Sequence, residues 1–370
     1  MFAISRKQHA PDIVVIFCLG LLILFGFVIL ASSSSNLAAT QYGDSYYYLK
    51  HQIYYGLSLG LIGFWCASKL FYGTYVKRSL SVWLLVLSII GLLLVFTPLG
   101  LTAKGATRWL ALGPFSFQPA ELLKITLLIY LASWLSFKDH AQQSLRQGFL
   151  PFAVVLTVVS GILILQHSTS PVAMLILVAL IMYFVSGAKL RYLGAIIAAG
   201  LFSLALIVAV TPYRAQRVLS FLNPEADAQG SGYHLLQAKT AIGAGGIFGV
   251  GYGQSTVKYR LPEPIGDSIF AVAGEEFGFV GSVILLGLFL FLVLRILMLA
   301  RHTPDPFGRL LLIGFGSIIT IQVFVNVGAM TGLLPLTGTP LPFISYGGTS
   351  LAVFMTMMGI VVNVSKYTNK

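Results

Sequence analysis

Four carboxylates are concentrated in the stretch L-P-E-P-I-G-D-S-I-F-A-V-A-G-E-E-F-G, residues 261 to 278, although the whole chain has only 11 acidic residues. Asp267 follows Pro262 and Pro264, which disfavour helix before residue 265, while the apolar run after it can form a helix. Two roles are open for Asp267. It could be an N-cap that accepts the free amide hydrogens of that helix, or a general base at the mouth of a cavity.

The other acids of this stretch are weaker candidates for chemistry. Glu275 and Glu276 lie a turn or two further along the same predicted helix. For them a solvated or paired helix face is favoured over a catalytic role. Glu263 lies in the proline-rich approach to the helix, and its position is not predicted.

A second group of ionisable residues lies in K-G-A-T-R-W-L-A-L-G-P-F-S-F-Q-P-A-E-L-L-K, residues 104 to 124. Pro119 suits the first turn of a helix, and Glu121 and Lys124 are three residues apart, so they share a helix face. They form either a self-contained ion pair near a membrane interface or part of an internal cavity. Arg108 could anchor the chain at the interface, but Arg is also the preferred fork for phosphate oxygens.

The glycine-rich run A-I-G-A-G-G-I-F-G-V-G-Y-G-Q-S, residues 241 to 255, resembles a phosphate loop only in composition. It has no predicted strand before it and no G-K-[ST] at its end, so a nucleotide site is not predicted. Its glycines instead favour tight turns and re-entrant backbone, as in L-P-F-I-S-Y-G-G-T-S, residues 341 to 350. The 6 histidines have no metal-ligand spacing.

Composition places these groups in a membrane protein. The chain has 57% hydrophobic and 9% charged residues with a mean hydropathy of +0.89, whereas soluble domains carry roughly 25% charged residues. The first apolar run, residues 13 to 33, is too long for a cleaved signal peptide and is expected to be a retained span. Cys18 and Cys66 fall inside apolar runs and are expected to be small core hydrophobes.

The pattern predicts an all-α integral membrane protein, a single polytopic domain over residues 1 to 370 with about ten transmembrane helices. The helices are expected to begin near Ile13, His51, Ser79, Leu122, Phe149, Pro171, Tyr192, Gly278, Arg309 and Thr349. Lys and Arg in the short loops place both termini in the cytoplasm. These inner basic residues are Arg6, Lys7, Lys69, Lys77, Arg78, Lys138, Arg146, Lys189, Arg191, Arg295, Arg301, Arg309, Lys366 and Lys370.

This orientation puts two loops outside: residues 101 to 121, and a large loop of about residues 212 to 277 between helices 7 and 8. They are unusually basic for outer loops, with Lys104, Arg108, Arg214, Arg217, Lys239, Lys258 and Arg260. The excess predicts an external site for an anionic ligand. The net charge of +12 is attributed to basic residues in the loops, which set the orientation and contact anionic lipid head groups. Nucleic acid is not expected as a partner.

Four motifs in this order resemble the SEDS family of shape, elongation, division and sporulation proteins. They are K-G-A-T-R-W-L with F-Q-P-A-E-L-L-K, then Y-H-L-L-Q-A-K-T-A-I-G-A-G-G-I-F-G-V-G-Y-G-Q-S, then L-P-E-P-I-G-D-S-I-F-A-V-A-G-E-E-F-G, and T-G-L-L-P-L-T-G-T-P-L-P-F-I-S-Y-G-G-T-S. The resemblance covers nearly the whole chain. The third motif is more similar to the division branch, FtsW, than to the elongation branch, RodA.

The resemblance implies a peptidoglycan glycosyltransferase that polymerises lipid II at the outer face of the bacterial cytoplasmic membrane. Asp267 matches the essential acid of the family, and is therefore assigned as the general base. One base and nearby positive charge suffice for this inverting transfer, because pyrophosphate leaves without being protonated. The residues assigned to substrate binding are Arg108, Gln118, Glu121, Lys124, Gln254, Lys258 and Ser345.

Two departures from the family pattern are present. The family usually has Q-P-D-L-G-T before the sixth span, whereas this chain has Q-H-S-T-S-P at residues 166 to 171, which puts Ser168 at the acid position. The family's H-T-D is I-G-D here, at residues 265 to 267. No cofactor is assigned with certainty. A divalent cation, Mg²⁺ or Mn²⁺, stays open, and its ligands are unknown.

The resemblance also implies partners: lipid II, the nascent glycan, membrane lipids and a class B penicillin-binding protein transpeptidase. Two other functions stay open, a flippase for lipid-linked precursors and a non-catalytic division scaffold. A flippase needs a polar path through the membrane midplane, but the spans offer little beyond Ser160, Thr320 and Gln322. Clustering of charge on the outer side favours an external enzyme.

Overall fold

The computed structural model describes residues 8–103, 106–112, 115–136, 144–211, 216, 219–230 and 232–369, and these are mostly helical. The α-helices are α1 (Ile13–Tyr42), α2 (Tyr47–His51), α3 (Ser58–Lys69), α4 (Arg78–Leu94), α5 (Pro119–Ser136), α6 (Leu150–Leu165), α7 (Thr169–Val185), α8 (Leu190–Val210), α9 (Tyr233–Ala244), α10 (Ile269–His302), α11 (Pro306–Thr331) and α12 (Gly348–Ser365). π-helical turns at Gln52–Leu57 and Leu145–Phe149 precede α3 and α6, and short 3₁₀ turns occur at Tyr72–Thr74, Pro224–Asp227 and Val257–Tyr259.

Several of these helices are suited to the bilayer. In the described part of the chain, 6 helical segments are long and apolar enough to cross a membrane, and three shorter apolar helices accompany them. The six are Ile13–Tyr42, Pro119–Ser136, Leu145–Leu165, Ile269–His302, Pro306–Thr331 and Gly348–Ser365. The protein is therefore a multi-pass membrane protein, while the number ten stays a prediction.

A small antiparallel sheet corrects the all-α prediction. Strands β1 (Gly100–Ala103), β2 (Ala106–Leu112) and β3 (Phe115–Phe117) pair in the order β1-β2-β3, with Thr102 opposite Thr107 and Leu110 opposite Phe117. The sequence interrupts this segment with K-G and G-P, so each stretch between them is too short for a spanning helix. Strands rich in Thr, Trp and Phe form instead.

α5 and α12 lie inside the bundle. Nearly every side chain of α5 is buried, including both of its ionisable residues, Glu121 and Lys124. α12 buries a continuous run from Met357 to Ser365 against its neighbours. By contrast, α1 and α6 leave many large apolar side chains exposed, as surfaces that contact lipid do. α5 therefore carries its two charges into the interior of the protein.

α10 is one helix in outline but its backbone breaks at Gly278, where φ is 65° and ψ is −164°. The segment 246–251 hydrogen-bonds to backbone groups on both sides of the break. Phe279 N donates to Gly246 O at 2.9 Å, and Val250 N donates to Glu275 O at 3.0 Å. A side chain at residue 278 would collide with the backbone of Gly249. The break thus depends on glycine and on the neighbouring segment.

Candidate functional site

Asp267 lies in the turn that connects the proline-rich segment to α10, and it is half-buried. The helix begins at Ile269 with Ser268 at the N-cap position, so the capping position that stood open for Asp267 belongs to the next residue. Instead of capping, the Ser268 hydroxyl donates to Pro262 O at 2.7 Å and bonds to His234 Nε2 at 2.6 Å. Contacts with the proline-rich segment and with α9 therefore hold the residue next to Asp267.

A loop that precedes α12, residues 337–346, lies against this turn and is called the facing loop. Ser345 Oγ donates to Gly266 O at 2.7 Å, and Tyr346 N donates to Ile265 O at 2.9 Å. A Cβ added at Gly338, whose φ is 65°, would lie only 3.7 Å from Asp267 Oδ2. The facing loop thus approaches the Asp267 carboxylate with a residue that has no side chain.

A buried ion pair on α5 is linked to the facing loop through Gln322. Lys124 Nζ is 2.7 Å from Glu121 Oε1, and the two side chains are 1% and 5% exposed. Lys124 Nζ also donates to Gln322 Oε1 at 3.0 Å and lies 5.3 Å from the Phe354 ring centroid. Charges buried this deeply need such partners, because desolvation is costly. The predicted sharing of a helix face by Glu121 and Lys124 is confirmed.

Two amides on α11 connect these groups, and sequence reasoning missed their role. Gln322 Nε2 donates to Pro340 O at 2.9 Å. Asn326 Nδ2 donates to Asp267 O and to Thr339 O, each at 2.7 Å. The available signal was their spacing, because two amides four residues apart share one face of an otherwise apolar helix.

Arg108 reaches the same assembly from β2. Its Nη2 donates to the carbonyl oxygen of His167, which has a positive φ of 57° and precedes α7. Three residues later, Ser170 Oγ donates to Thr337 O at 2.7 Å. Ser168, at the position where the family usually has an acid, is 4% exposed. Arg108 is thus linked to the facing loop through the start of α7.

Lys258 occupies a different region with Glu275 and Glu276, called the buried acidic cluster together with Ser32 and Ser255. Lys258 Nζ donates to Glu276 Oε1 at 3.3 Å, Ser32 Oγ at 3.2 Å and Gly253 O at 2.9 Å. A Lys ammonium has three hydrogens, so protein acceptors occupy all of them. The geometry brings Lys258 to this cluster rather than to Asp267.

The remaining predicted residues take varied positions. Gln118 is half-buried just before α5, and its carbonyl accepts from Glu121 N at 3.1 Å. Gln254 is exposed in a turn closed by its N–H on Gly251 O at 3.1 Å. The Ser345 hydroxyl donates to Gly266 O in the Asp267 turn and accepts from Leu341 N of the facing loop, each at 2.7 Å. The predicted basic residues Arg6, Lys7, Lys104, Lys138, Arg214, Arg217 and Lys370 lie outside the described residues.

Several buried polar atoms beside the facing loop have no hydrogen-bond partner within the described ranges. They include Glu121 Oε2, Asn326 Oδ1, Thr337 Oγ1 and Thr339 Oγ1. Buried polar atoms in native proteins are nearly always satisfied by protein, water or ligand. Their concentration here makes the region between Asp267 and Lys124 a candidate place for ordered water or a polar ligand.

The donor set for a resident metal is weaker. Over the residues that the structure describes, no three His, Cys, Asp or Glu side chains come together as a ligand group. The described contacts between the Asp267 turn and the facing loop come from backbone carbonyls, a hydroxyl and an amide. The described side chains therefore assign no ligands to a divalent cation.

The apolar helical bundle defines a polytopic membrane protein. Its internal polar site consists of a buried Lys–Glu pair and a half-buried carboxylate beside one irregular loop. The chain belongs to the FtsW, RodA and SpoVE family of cell cycle proteins, whose family model matches residues 12–370.

Two relatives illustrate the similarity in sequence. A protein of Geobacter sulfurreducens named probable peptidoglycan glycosyltransferase FtsW is 41% identical over 365 residues, which cover 97% of this chain and 96% of the relative. The stage V sporulation protein E of Bacillus subtilis is 35% identical over 366 residues, covering 98% of this chain and 99% of the relative. Division and sporulation names thus both occur among the relatives.

Solved structures share the fold. A chain of a peptidoglycan synthase complex, described as coordinating polymerization and crosslinking, matches with a TM-score of 0.79 at 32% identity, covering 96% of this chain and 98% of that chain. The rod shape determining protein RodA of Thermus thermophilus matches with a TM-score of 0.72 at 30% identity and 98% coverage of both chains. The RodA-like fold therefore extends over nearly the whole chain.

Proposed function

We propose that this protein is a peptidoglycan glycosyltransferase that polymerises lipid II into β-1,4 glycan strands at the outer face of the bacterial cytoplasmic membrane. One observation carries the proposal: the half-buried Asp267 turn and the facing loop lie together next to unsatisfied polar atoms and the buried Lys124. Names of relatives and structural neighbours that refer to peptidoglycan synthesis support the same reaction.

In the proposed reaction the 4-hydroxyl oxygen of one sugar attacks the anomeric carbon of a second lipid II molecule. The bond from that carbon to the pyrophosphate oxygen breaks, and its electron pair leaves with the lipid pyrophosphate. Asp267 takes the hydroxyl proton, which makes the oxygen a better nucleophile. The anomeric configuration changes from α to β in this single displacement, so no second carboxylate is required.

The leaving pyrophosphate needs positive charge where its own charge develops. Arg108 is the stronger candidate for direct contact, because it is only half-buried and its guanidinium presents several donors. Lys124, buried and paired with Glu121, is assigned to the electrostatic field and framework of the site. Lys258 is assigned to the buried acidic cluster instead, since its hydrogens already have acceptors.

The topology belongs to the same proposal. We assign ten crossings in one domain, both termini to the cytoplasm, and the large loop of about residues 212 to 277 to the outer side. Two features support this arrangement: basic residues recur in the proposed inner loops, and the Asp267 turn follows the loop between α8 and α10. Asp267 would then meet the substrate headgroup outside the membrane.

The proposed partner is a class B penicillin-binding protein, which would cross-link the new strands. The similarity to a chain of a peptidoglycan synthase complex supports this assignment. A divalent cation, Mg²⁺ or Mn²⁺, stays part of the proposal, without assigned protein ligands and without an assigned chemical step.

The decisive experiment reconstitutes the purified chain in liposomes with lipid II, with and without a transpeptidase partner and with Mg²⁺, Mn²⁺ or a chelator. We expect glycan polymer. Translocated lipid without polymer would identify a flippase, and neither product under any condition would favour a scaffold. An accessibility assay on a single cysteine placed near residue 267 tests the side of the membrane, and a cytoplasmic location would overturn the mechanism.

A further inference from the structure

We infer that Asn326 is a positioning residue that sets Asp267 relative to Lys124, an inference that rests on the proposed function. Asn326 lies in the sixth turn of α11 and is 1% exposed. It does not contact the reacting atoms in this mechanism. Its role follows from which groups its amide joins.

The orientation of the Asn326 amide is fixed by its partners. Both oxygens near Nδ2, Asp267 O and Thr339 O, are carbonyl oxygens that only accept hydrogen bonds, and each lies 2.7 Å away. The nitrogen therefore faces them, and each of its two hydrogens has one acceptor. One side chain thus ties the backbone of the proposed base to the loop that faces its carboxylate.

Thr339 follows Gly338, the residue that approaches the Asp267 carboxylate. Holding Thr339 O therefore also holds the loop wall that Asp267 Oδ2 meets, where a Cβ on Gly338 would be 3.7 Å away. Asn326 fixes both the backbone of Asp267 and the surface across from it.

Gln322, one turn earlier on α11, links the facing loop to the Lys124 ammonium group. Its Nε2 donates to Pro340 O at 2.9 Å, and its Oε1 accepts from Lys124 Nζ at 3.0 Å. Gln322 is fully buried, so these bonds are shielded from bulk solvent. Neighbouring carbonyls of the facing loop, Thr339 O and Pro340 O, are thus held by successive amides of one helix. α11 therefore fixes the spacing between Lys124 and Asp267 through these two amides.

A purely structural role would be to satisfy buried carbonyls of an irregular, proline-containing loop. Such a role predicts a loss of stability when Asn326 is replaced, but no dependence on Asp267. A positioning role predicts that the loss of rate disappears when Asp267 can no longer act as a base. The two roles therefore differ in a double-mutant cycle.

The test measures kcat and KM for lipid II polymerisation in Asn326→Leu, Asp267→Asn and the double variant, together with melting temperatures. Misplacing a catalytic group by about 1 Å can cost about 100-fold in rate. We expect Asn326→Leu to lower kcat by about 10- to 100-fold with KM within about 3-fold. In the Asp267→Asn background, the same substitution should lower kcat by less than about 3-fold.

Thr331→Val is the matched control. Thr331 lies on the same helix, but its hydroxyl donates only to carbonyls of its own helix, Val327 O at 2.8 Å and Gly328 O at 3.4 Å. Its kcat should stay near that of the parent protein. If Asn326→Leu fails to fold, Asn326→Ser, which keeps one donor, is measured by the same criteria. Asn326→Gln keeps two donors and should retain part of the rate.

Equal losses of kcat in both backgrounds, or an unchanged kcat in folded Asn326→Leu, would overturn the inference. If the parent protein polymerises lipid II and Asn326→Leu is fully active, only the positioning role is refuted. A parent protein that makes no polymer removes the proposed function, and this inference with it.

Discussion

The acids of residues 261 to 278 divide into two regions that differ in burial and bonding. Asp267 is half-buried in an irregular turn, close to the backbone of the facing loop. Glu275 and Glu276, only two to three turns along the chain, are each 1% exposed. Glu275 accepts from Thr256 N at 2.9 Å and Val257 N at 3.3 Å, while Glu276 pairs with Lys258 at 3.3 Å.

The difference teaches that a cluster of charge in a sequence is not a single site. Both regions gather scarce ionisable groups, but the buried acidic cluster directs its groups at protein donors and anchors the 253–258 segment on α10. The Asp267 region directs its groups towards a loop with unsatisfied polar atoms. The first arrangement stabilises a fold, and the second suits a ligand.

The largest effect is expected for Asp267→Asn, which keeps the size of the side chain but removes the base. General base catalysis typically contributes 10²- to 10⁴-fold, so polymerisation should fall by about that factor. The melting temperature of the detergent-solubilised protein should stay close to that of the parent. Near-parental glycan synthesis from purified lipid II would defeat the assignment of Asp267.

A large effect on stability, rather than on chemistry, is expected for Lys258→Met. Removing one partner of a buried ion pair leaves Glu276 uncompensated, which costs about 3–5 kcal/mol. The double variant Lys258→Met with Glu276→Gln should recover much of that loss. Denaturant or thermal melts measure both. A stable Lys258→Met protein that has lost polymerisation would instead place Lys258 in the active site and break the comparison.

A smaller loss of stability is expected for Glu275→Gln. The amide keeps one acceptor oxygen but gives up the charge that strengthens the bonds from Thr256 N and Val257 N. The cost should be about 1–3 kcal/mol, with kcat per folded molecule nearly unchanged. Parallel measurement of melting and of single-turnover rate separates the two quantities, and a rate loss without destabilisation would count against the division into two regions.

The smallest effect is expected at a surface pair far from both regions. Asp44 and Lys50 are 2.7 Å apart with side chains 39% and 55% exposed, and the hydrogen bond from Lys50 lowers the pKa of Asp44. Such pairs are screened by solvent, so Asp44→Asn should change neither polymerisation nor melting measurably at neutral pH. Because the folded pKa of Asp44 lies below its unfolded value, any difference should shrink as the pH falls below about 4 and disappear only below the folded pKa.

The sequence contained enough to predict the membrane class, the family and the shared face of Glu121 and Lys124. Those features depend on composition, ordered motifs and helical spacing, which are local. The prediction that Glu275 and Glu276 belong to a paired face is consistent with their bonds, but a solvated face is excluded by their burial.

Other features depend on contacts between distant segments and could not be read from the chain alone. Lys258 was predicted to lie with the phosphate-binding groups because both are basic and external, whereas its partner Ser32 is 226 residues away in α1. Asn326 was missed because a lone amide in an apolar helix resembles an ordinary core residue until its acceptors are known. The small sheet and the break at Gly278 likewise depend on neighbours.

The break at Gly278 leaves Ile269–Phe277 as a short rod of nine residues, about 13.5 Å long at 1.5 Å per residue. Its far end is clamped by the 246–251 segment, and its near end is clamped through Asn326 and Ser345. Rotation of this helical segment would break several hydrogen bonds at both of its ends. The turn that carries Asp267, just before this rod, is therefore fixed from two directions, which is what a proposed general base needs in order to meet each substrate in the same orientation.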